Sequence, residues 1–156
     1  MDTFPGRLLG IDHGEKVIGF ATCDATGLIA TPLNILKRKS KKEDFAFINQ
    51  LIEQEKFVGV LLGLPPRPPN FVGHSQSDTV LLWGKRLVSA IDIPVYLWDE
   101  GLSSVDAEER LRDIGKRIPE RVDAYAAAVI LQSFLDAVRE GATFSEPLSG
   151  DEAWEK

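Results

Sequence analysis

Three acidic residues stand where their carboxylates could act together. Asp12 ends a short apolar run, and Glu100 follows the apolar run Ile93–Trp98. Asp123 lies in the first turn of the helix predicted over 121–139, in line with that helix's apolar stripe. Carboxylates are ligands that Mg²⁺ accepts, and paired divalent cations activate water for attack on a phosphodiester. The combination predicts that Asp12, Glu100 and Asp123 hold divalent metal and carry a hydrolytic reaction.

Each acid taken alone also has an ordinary structural interpretation. An aspartate at a strand end, followed two residues later by glycine, is common turn chemistry, as at Asp12 and Gly14. An acidic pair such as Asp99 and Glu100 often starts a helix. An acid in the first turn, as at position 123, stabilises a helix by about 0.3–1 kcal/mol. We expect Asp99 either to support the metal ligands without binding the metal or to point away from the site, because adjacent strand residues face opposite sides of a sheet.

Hydrophobic periodicity predicts the elements that must position these acids. Apolar runs joined by short turns predict a three-strand antiparallel meander over 7–13, 17–23 and 28–36. Helical spacing and further apolar runs then alternate along the chain. They predict helices over 41–56, 75–90, 103–114 and 121–139, and strands over 57–62 and 93–98. The fold class is therefore α/β, a five-stranded mixed sheet of three antiparallel and two parallel strands flanked by helices.

Parallel strands place their carboxyl ends on one edge of a sheet, which would bring Asp12 and Glu100 together. The segment Gly63–Gly73 holds four prolines, which exclude a regular helix or central strand. We predict that it forms a loop bordering the acids. Its only charged residue, Arg67, is a candidate for binding phosphate.

Composition and charge limit the class of protein. Residues 1–139 predict one domain, and the acidic segment 140–156 predicts a disordered tail. That tail carries −4 of the net charge of −6, so basic clusters at 37–42 and at Lys116 and Arg117 remain able to meet phosphates. No apolar run has the roughly 18 residues of a membrane span. The single cysteine, Cys23, favours a reducing compartment, so we expect a cytoplasmic protein.

Four stretches of the sequence resemble the YqgF family, also called RuvX, of Holliday junction resolvases and pre-16S rRNA nucleases. They are LGIDHGEKVIGFATCD (9–24), LLGLPP (61–66), WDEGLSSVDAEERL (98–111) and VDAYAAAVILQSFL (122–135). The resemblance spans about residues 7–137 and implies an RNase H-like fold. It also implies that the family's acidic residues correspond to Asp12, Glu100 and Asp123, with Mg²⁺ or Mn²⁺ as the metal.

The sequence departs from the family pattern at two basic positions. Lys16 is followed by Val17 where the family has Lys-Arg, and Glu100 is followed by Gly101 where the family has an arginine. Lys16 remains a candidate for binding substrate. The departures leave open whether the chain cuts or only binds nucleic acid.

Four functions compete at this point. The first is an endonuclease that trims the 5′ end of precursor 16S rRNA, and the second is a resolvase of four-way DNA junctions. A resolvase would need a symmetric dimer to cut two strands, and the sequence is compatible with a monomer or a homodimer. The third is a non-catalytic factor for nucleic acid or ribosome assembly. An ATP-binding module is also suggested by Gly-Ile-Asp-x-Gly, but that architecture needs a second domain of similar size, for which 156 residues leave no room.

Overall fold

One five-stranded sheet forms the centre of the computed structural model, which describes residues 6–66, 72–102, 105–142 and 146–150. The strands are β1 (Leu8–His13), β2 (Val17–Cys23), β3 (Ala30–Lys37), β4 (Gly59–Leu64) and β5 (Val95–Asp99). Their order across the sheet is β3-β2-β1-β4-β5. The first three strands pair antiparallel, and β4 and β5 continue the sheet parallel to β1. The predicted fold class is confirmed.

Four helices flank the sheet: α1 (Lys41–Glu55), α2 (Gln76–Ala90), α3 (Val105–Arg117) and α4 (Val122–Arg139). Side chains satisfy the exposed amides at two of their starts. Ser40 accepts a hydrogen bond from the backbone of Glu43, and Ser75 and Asp78 form a reciprocal capping box. Short 3₁₀ turns at Glu100–Leu102 and Pro119–Arg121 precede α3 and α4.

The two faces of the sheet bury different residues, as the alternation of a strand requires. On one face, Leu9 and Ile11 of β1 belong to a core shared with Trp83 and Leu87 of α2 and Ile48 of α1. On the other face, side chains of β1, β2 and β4 pack against α4. That second core contains Leu8, Leu61, Ala127, Leu131 and Phe134. Even-numbered residues of β1 therefore face α4, and odd-numbered residues face α1 and α2.

Several element boundaries differ from the predicted ones by one to three residues. The sequence predicted that Gly63 and Leu64 belong to the proline-rich loop. Instead β4 continues through both residues, because they pair with Trp98 and Asp99 of β5. β3 begins at Ala30 rather than at residue 28, and α3 continues to Arg117. The remainder of the predicted loop includes residues 67–71, which lie outside the described part of the chain, and Arg67 lies among them.

Part of the C-terminal segment lies against the edge of the sheet. The backbone N–H of Leu148 donates to the carbonyl of Val95 at 2.7 Å. The Leu148 side chain packs beside Gly84 of α2 and joins the core on that face. Since β5 is an edge strand, this contact covers some of its free backbone groups. The domain boundary at residue 139 and the disorder of the rest of the tail stay predictions.

In the described ranges, no helix is long and apolar enough to cross a lipid bilayer.

Candidate active site

Asp12 projects from the next-to-last position of β1 toward the face covered by α4. Gly10, two residues earlier on the same side, lies under α4, because a Cβ built there would be 3.1 Å from Cβ of Leu131. Asp12 pairs across the sheet with Gly19 of β2. On the other side, β1 runs beside β4 with Ile11 opposite Leu62, so Gly63 is the next residue in register with Asp12.

Glu100 reaches Asp12 from the turn after β5. Its carboxyl group lies over Gly63, since a Cβ built on that glycine would be 2.9 Å from Oε1 of Glu100. The carboxyl groups of Glu100 and Asp12 share a hydrogen bond. Asp99 is exposed, and its Oδ1 accepts a hydrogen bond of 2.7 Å from the N–H of Gly101. The adjacent acids therefore have different tasks: Asp99 holds the turn, and Glu100 faces Asp12.

Asp123 stands beside this pair because the start of α4 rests directly on β2. A Cβ built on Gly19 would be 1.9 Å from the carbonyl oxygen of Asp123, so the absence of a side chain there lets the helix approach. The charge of Asp123 acts on Asp12 and contributes to raising its pKa. Within the described ranges, no three His, Cys, Asp or Glu side chains are grouped closely enough to hold a metal ion as they stand. The geometry is a hydrogen-bonded pair with a third acid nearby.

Burial and mutual repulsion change the acidity of the pair. Burial raises the pKa of Asp12, the hydrogen bond with Glu100 lowers it, and the charge of Asp123 raises it. Burial, the hydrogen bond with Asp12 and the charges of Asp12 and Asp99 raise the pKa of Glu100 to about 8. Two carboxylates in contact cannot both ionise easily, so the pair keeps one proton near neutral pH.

A model of the RuvX family, described as Holliday junction resolvase, matches residues 6–137. This chain belongs to the RuvX family. A relative from Syntrophus aciditrophicus, named "Putative pre-16S rRNA nuclease", is 38% identical over 152 residues, covering 94% of this chain and 99% of the relative. A relative from Synechocystis with the same name is 39% identical over 135 residues, covering 84% and 88%.

Solved structures with lower sequence identity share the fold of this RuvX-family chain. Thermus thermophilus RuvC bound to a Holliday junction superposes with a TM-score of 0.55 at 17% identity, over 92% of this chain and 99% of RuvC. Fowlpox virus resolvase with junction DNA superposes with a TM-score of 0.52 at 11% identity, over 85% and 98%. The fold is RNase H-like, as the resemblance implied.

The basic residues predicted to bind substrate lie in different parts of the RuvX-family chain. Lys16 is exposed in the turn after β1, and its carbonyl accepts a hydrogen bond of 2.8 Å from the Arg38 backbone. Lys116 is exposed at the end of α3, and the neighbouring Arg117 pairs with Asp113 at 3.0 Å on the same helix. Lys37 is exposed directly opposite Val17, one of the positions where the family's arginine is missing.

The sequence analysis missed a polar network behind the RuvX-family site. Asp44 of α1 is completely buried and accepts hydrogen bonds from Nε of Arg38 at 2.9 Å and from Nε1 of Trp83 at 3.2 Å. The Arg38 guanidinium also donates to the carbonyls of Gly14 and Glu15, in the turn that follows β1. The network therefore fixes the chain next to Asp12. Its signal in the sequence is an acid four residues before Ile48, on the apolar side of α1.

His13 is part of this support rather than of the acidic site. Its ring lies 4.7 Å from that of Trp83, and neither ring nitrogen has a hydrogen-bond partner. Burial and the nearby charge of Arg38 lower the pKa of His13 to about 4, so the ring is neutral at physiological pH. Because it follows Asp12 in the strand, it faces the opposite side of the sheet.

Proposed function

We propose that this chain is a nuclease that hydrolyses phosphodiester bonds in structured nucleic acid, with precursor 16S rRNA as its substrate. The observation that carries the proposal is the carboxyl pair of Asp12 and Glu100, with Asp123 beside it, at one edge of an RNase H-like sheet. The names of relatives that match nearly the whole chain support rRNA as the substrate.

The donor set fits a divalent cation such as Mg²⁺ or Mn²⁺. Its oxygens are hard ligands, and the repulsion that makes the pair keep a proton would be relieved by a bound cation. Asp12 and Glu100 would hold the metal, with Asp123 as the third acid beside them. When bound, the metal would activate water and stabilise the charge that develops on the phosphate and the leaving oxygen.

The chain's own residues prepare this site in three ways. The pleat of β1 directs Asp12 toward α4, and the turn at Glu100 returns a second carboxyl group to it. The contacts of Arg38 with the carbonyls of Gly14 and Glu15 hold the turn after β1 in place. Lys16, exposed in the turn after β1, would neutralise a phosphate of the bound strand. We assign the same task to Lys116 and Arg117 at the end of α3, and to Arg67, which lies outside the described residues.

A four-way DNA junction is the second candidate substrate. The description of the RuvX family and the likeness of the fold to resolvases bound to junction DNA favour it. Cutting two strands of a junction symmetrically would require a homodimer, whereas processing of one rRNA end would not. The oligomeric state and the cytoplasmic location stay predictions.

The test compares neighbouring acids in a cleavage assay. Purified protein is incubated with labelled precursor 16S rRNA, a four-way DNA junction or linear duplex, each with Mg²⁺ or Mn²⁺ and with chelator. We expect metal-dependent cleavage of the rRNA precursor, lost in Asp12→Asn and in Glu100→Gln. Asp99→Asn is the matched control, because its amide oxygen can still accept the bond from Gly101. Preferential cutting of the junction would show that the second candidate is the substrate. Binding without cleavage in every condition would show that the protein is a non-catalytic nucleic-acid factor.

Thermal melting tests the metal separately from cleavage. The parent protein in chelator should gain stability when Mg²⁺ is added, by mass action on the folded state, and Asp12→Asn should gain less. Equal shifts in both proteins would remove Asp12 from the metal site. Unfolding of Asp12→Asn would show that this aspartate is structural.

A further inference from the structure

Gly63 occupies the position of β4 that lies between the two paired acids. It is next in register with Asp12 on one side and opposite Trp98 on the other. Residues in register project on the same side of a sheet, here the side covered by α4. A side chain at this position would therefore stand between Asp12 and the turn that carries Glu100.

The space over Gly63 is filled by the side chain of Glu100. A Cβ built on Gly63 would lie 2.9 Å from Oε1 and 3.1 Å from Cγ of Glu100, and 2.9 Å from Cδ1 of Ile130. Real Cβ atoms essentially never come within 3.0 Å of a neighbour. Any residue other than glycine would therefore displace the carboxyl group, the isoleucine methyl or both.

The backbone of Gly63 gives no other reason for glycine. Its φ is not positive, unlike that of Gly27 or Gly73, so an alanine would have no conformational strain there. Glycine in a strand interior weakens the strand and often marks a close approach by another group. At this position the approaching group is a carboxyl of the candidate site.

We propose that Gly63 is a positioning residue, whose missing side chain lets Glu100 cross β4 and meet Asp12. The proposal rests on the proposed function only in regarding these acids as the reactive pair. Gly19 lies on the other side of Asp12 and has a different effect, since a side chain there would clash with the main chain of Asp123. Gly63 therefore acts on the position of one side chain, and Gly19 on the packing of a helix.

Gly63→Ala and Gly10→Ala form a matched pair for the test. Both glycines lie in strands under α4, and a Cβ on Gly10 would also be tightly placed, 3.1 Å from Cβ of Leu131. The contacts at Gly10 are apolar or with a backbone oxygen and include no acid side chain. Because both groups facing Gly63 are the ends of flexible side chains, Gly63→Ala should fold.

The first measurement is the affinity for Mg²⁺ alone, by isothermal titration calorimetry. Changing a residue that orients a metal ligand typically weakens binding about 10–100-fold, so we expect at least a tenfold loss in Gly63→Ala and none in Gly10→Ala. In a Glu100→Ala background, Gly63→Ala should cause no further loss. An unchanged affinity in Gly63→Ala, or the same loss with and without Glu100, would overturn the proposal.

The second measurement needs neither metal nor activity. Metal-free crystal structures of the parent and Gly63→Ala should show the Glu100 carboxyl displaced from Asp12 in the variant, with α4 unmoved. If Glu100 keeps its hydrogen bond to Asp12 beside Ala at position 63, the proposal is wrong. A parent that binds no Mg²⁺ and cuts no nucleic acid would refute the proposed function, while these structures would still decide the role of Gly63.

Discussion

Neutralising Glu100 should stabilise the metal-free protein at alkaline pH. The folded chain raises the pKa of this carboxyl from 4.5 to about 8, first through burial and then through Asp12. The folded state therefore holds the proton more tightly than the unfolded state does. The stability of the parent should fall as the pH rises from about 4.5 to about 8, and the full penalty should remain above that range. Glu100→Gln keeps the size and a hydrogen-bond donor but removes this penalty.

The size of the effect follows from the change in pKa. At 1.36 kcal/mol per pKa unit, the change in Glu100 corresponds to about 5 kcal/mol if no screening occurs. The carboxyl is only partly buried, and solvent weakens its interactions, so we expect about 2 kcal/mol. For a domain of this length that is a melting temperature about 4–8 °C higher for Glu100→Gln at pH 9. At about pH 4, below the unfolded pKa of 4.5, the group is mostly neutral in both states, and the difference should nearly vanish.

Urea denaturation in chelator at several pH values measures this difference. His13 also titrates differently on folding, since its pKa is lowered to about 4 and its contribution is lost as the pH falls below about 6.5. That contribution is common to both proteins and cancels in the comparison. Asp99→Asn should reproduce most of the parent's pH dependence, because Asp99 is the last of the causes that act on Glu100. Parallel stability curves for the parent and Glu100→Gln would refute the shared-proton arrangement.

Four other substitutions test the fold and the substrate surface. Asp44→Ala should lower the free energy of unfolding by about 3–5 kcal/mol in urea melts, because Arg38 loses its buried partner; a loss below about 1 kcal/mol would contradict this. Leu148→Ala should lower it by about 1 kcal/mol if the C-terminal segment stabilises the edge of the sheet, and an unchanged midpoint would argue against that. Lys16→Ala and Lys37→Ala should each weaken nucleic-acid binding and reduce its salt slope by about one, whereas an unchanged slope would exclude a phosphate contact.

The sequence predicted the parts of the fold that depend on local pattern. Apolar runs of period two and helical spacing located the five strands and four helices, and the rule for parallel strands placed Asp12 and Glu100 on one edge. The strand that ends at Leu64 was predicted to end two residues too early, at Leu62, because its last two residues are strand only through pairing with β5. Prolines at 65 and 66 gave a strong turn signal immediately after it, and this signal obscured the end of the strand.

The missed features all depend on contacts between distant elements. The spacing of Asp44 from Ile48 places this acid on the apolar side of α1, but only the approach of Arg38 and Trp83 makes its burial favourable. The contact of Leu148 with Val95 joins residues far apart in the sequence. The space over Gly63 is visible only when strand register and the path of Glu100 are both known. Periodicity in one segment can show which side of an element a residue lies on, but it does not identify the distant residues that the side chain contacts.

Asp12 and His13 are adjacent in β1 but project from opposite faces of the sheet, and their electrostatic surroundings are opposite. On the α4 side, burial and the repulsion between Asp12 and Glu100 together keep a proton on the pair at neutral pH. On the other side, His13 is neutral, and the charge of Arg38 is balanced by the buried Asp44. The hydrogen bonds from Arg38 to the carbonyls of Gly14 and Glu15 fix the backbone, so the acids cannot relieve their repulsion by moving the strand. The repulsion is therefore retained in the folded protein, where a proton or a cation can relieve it.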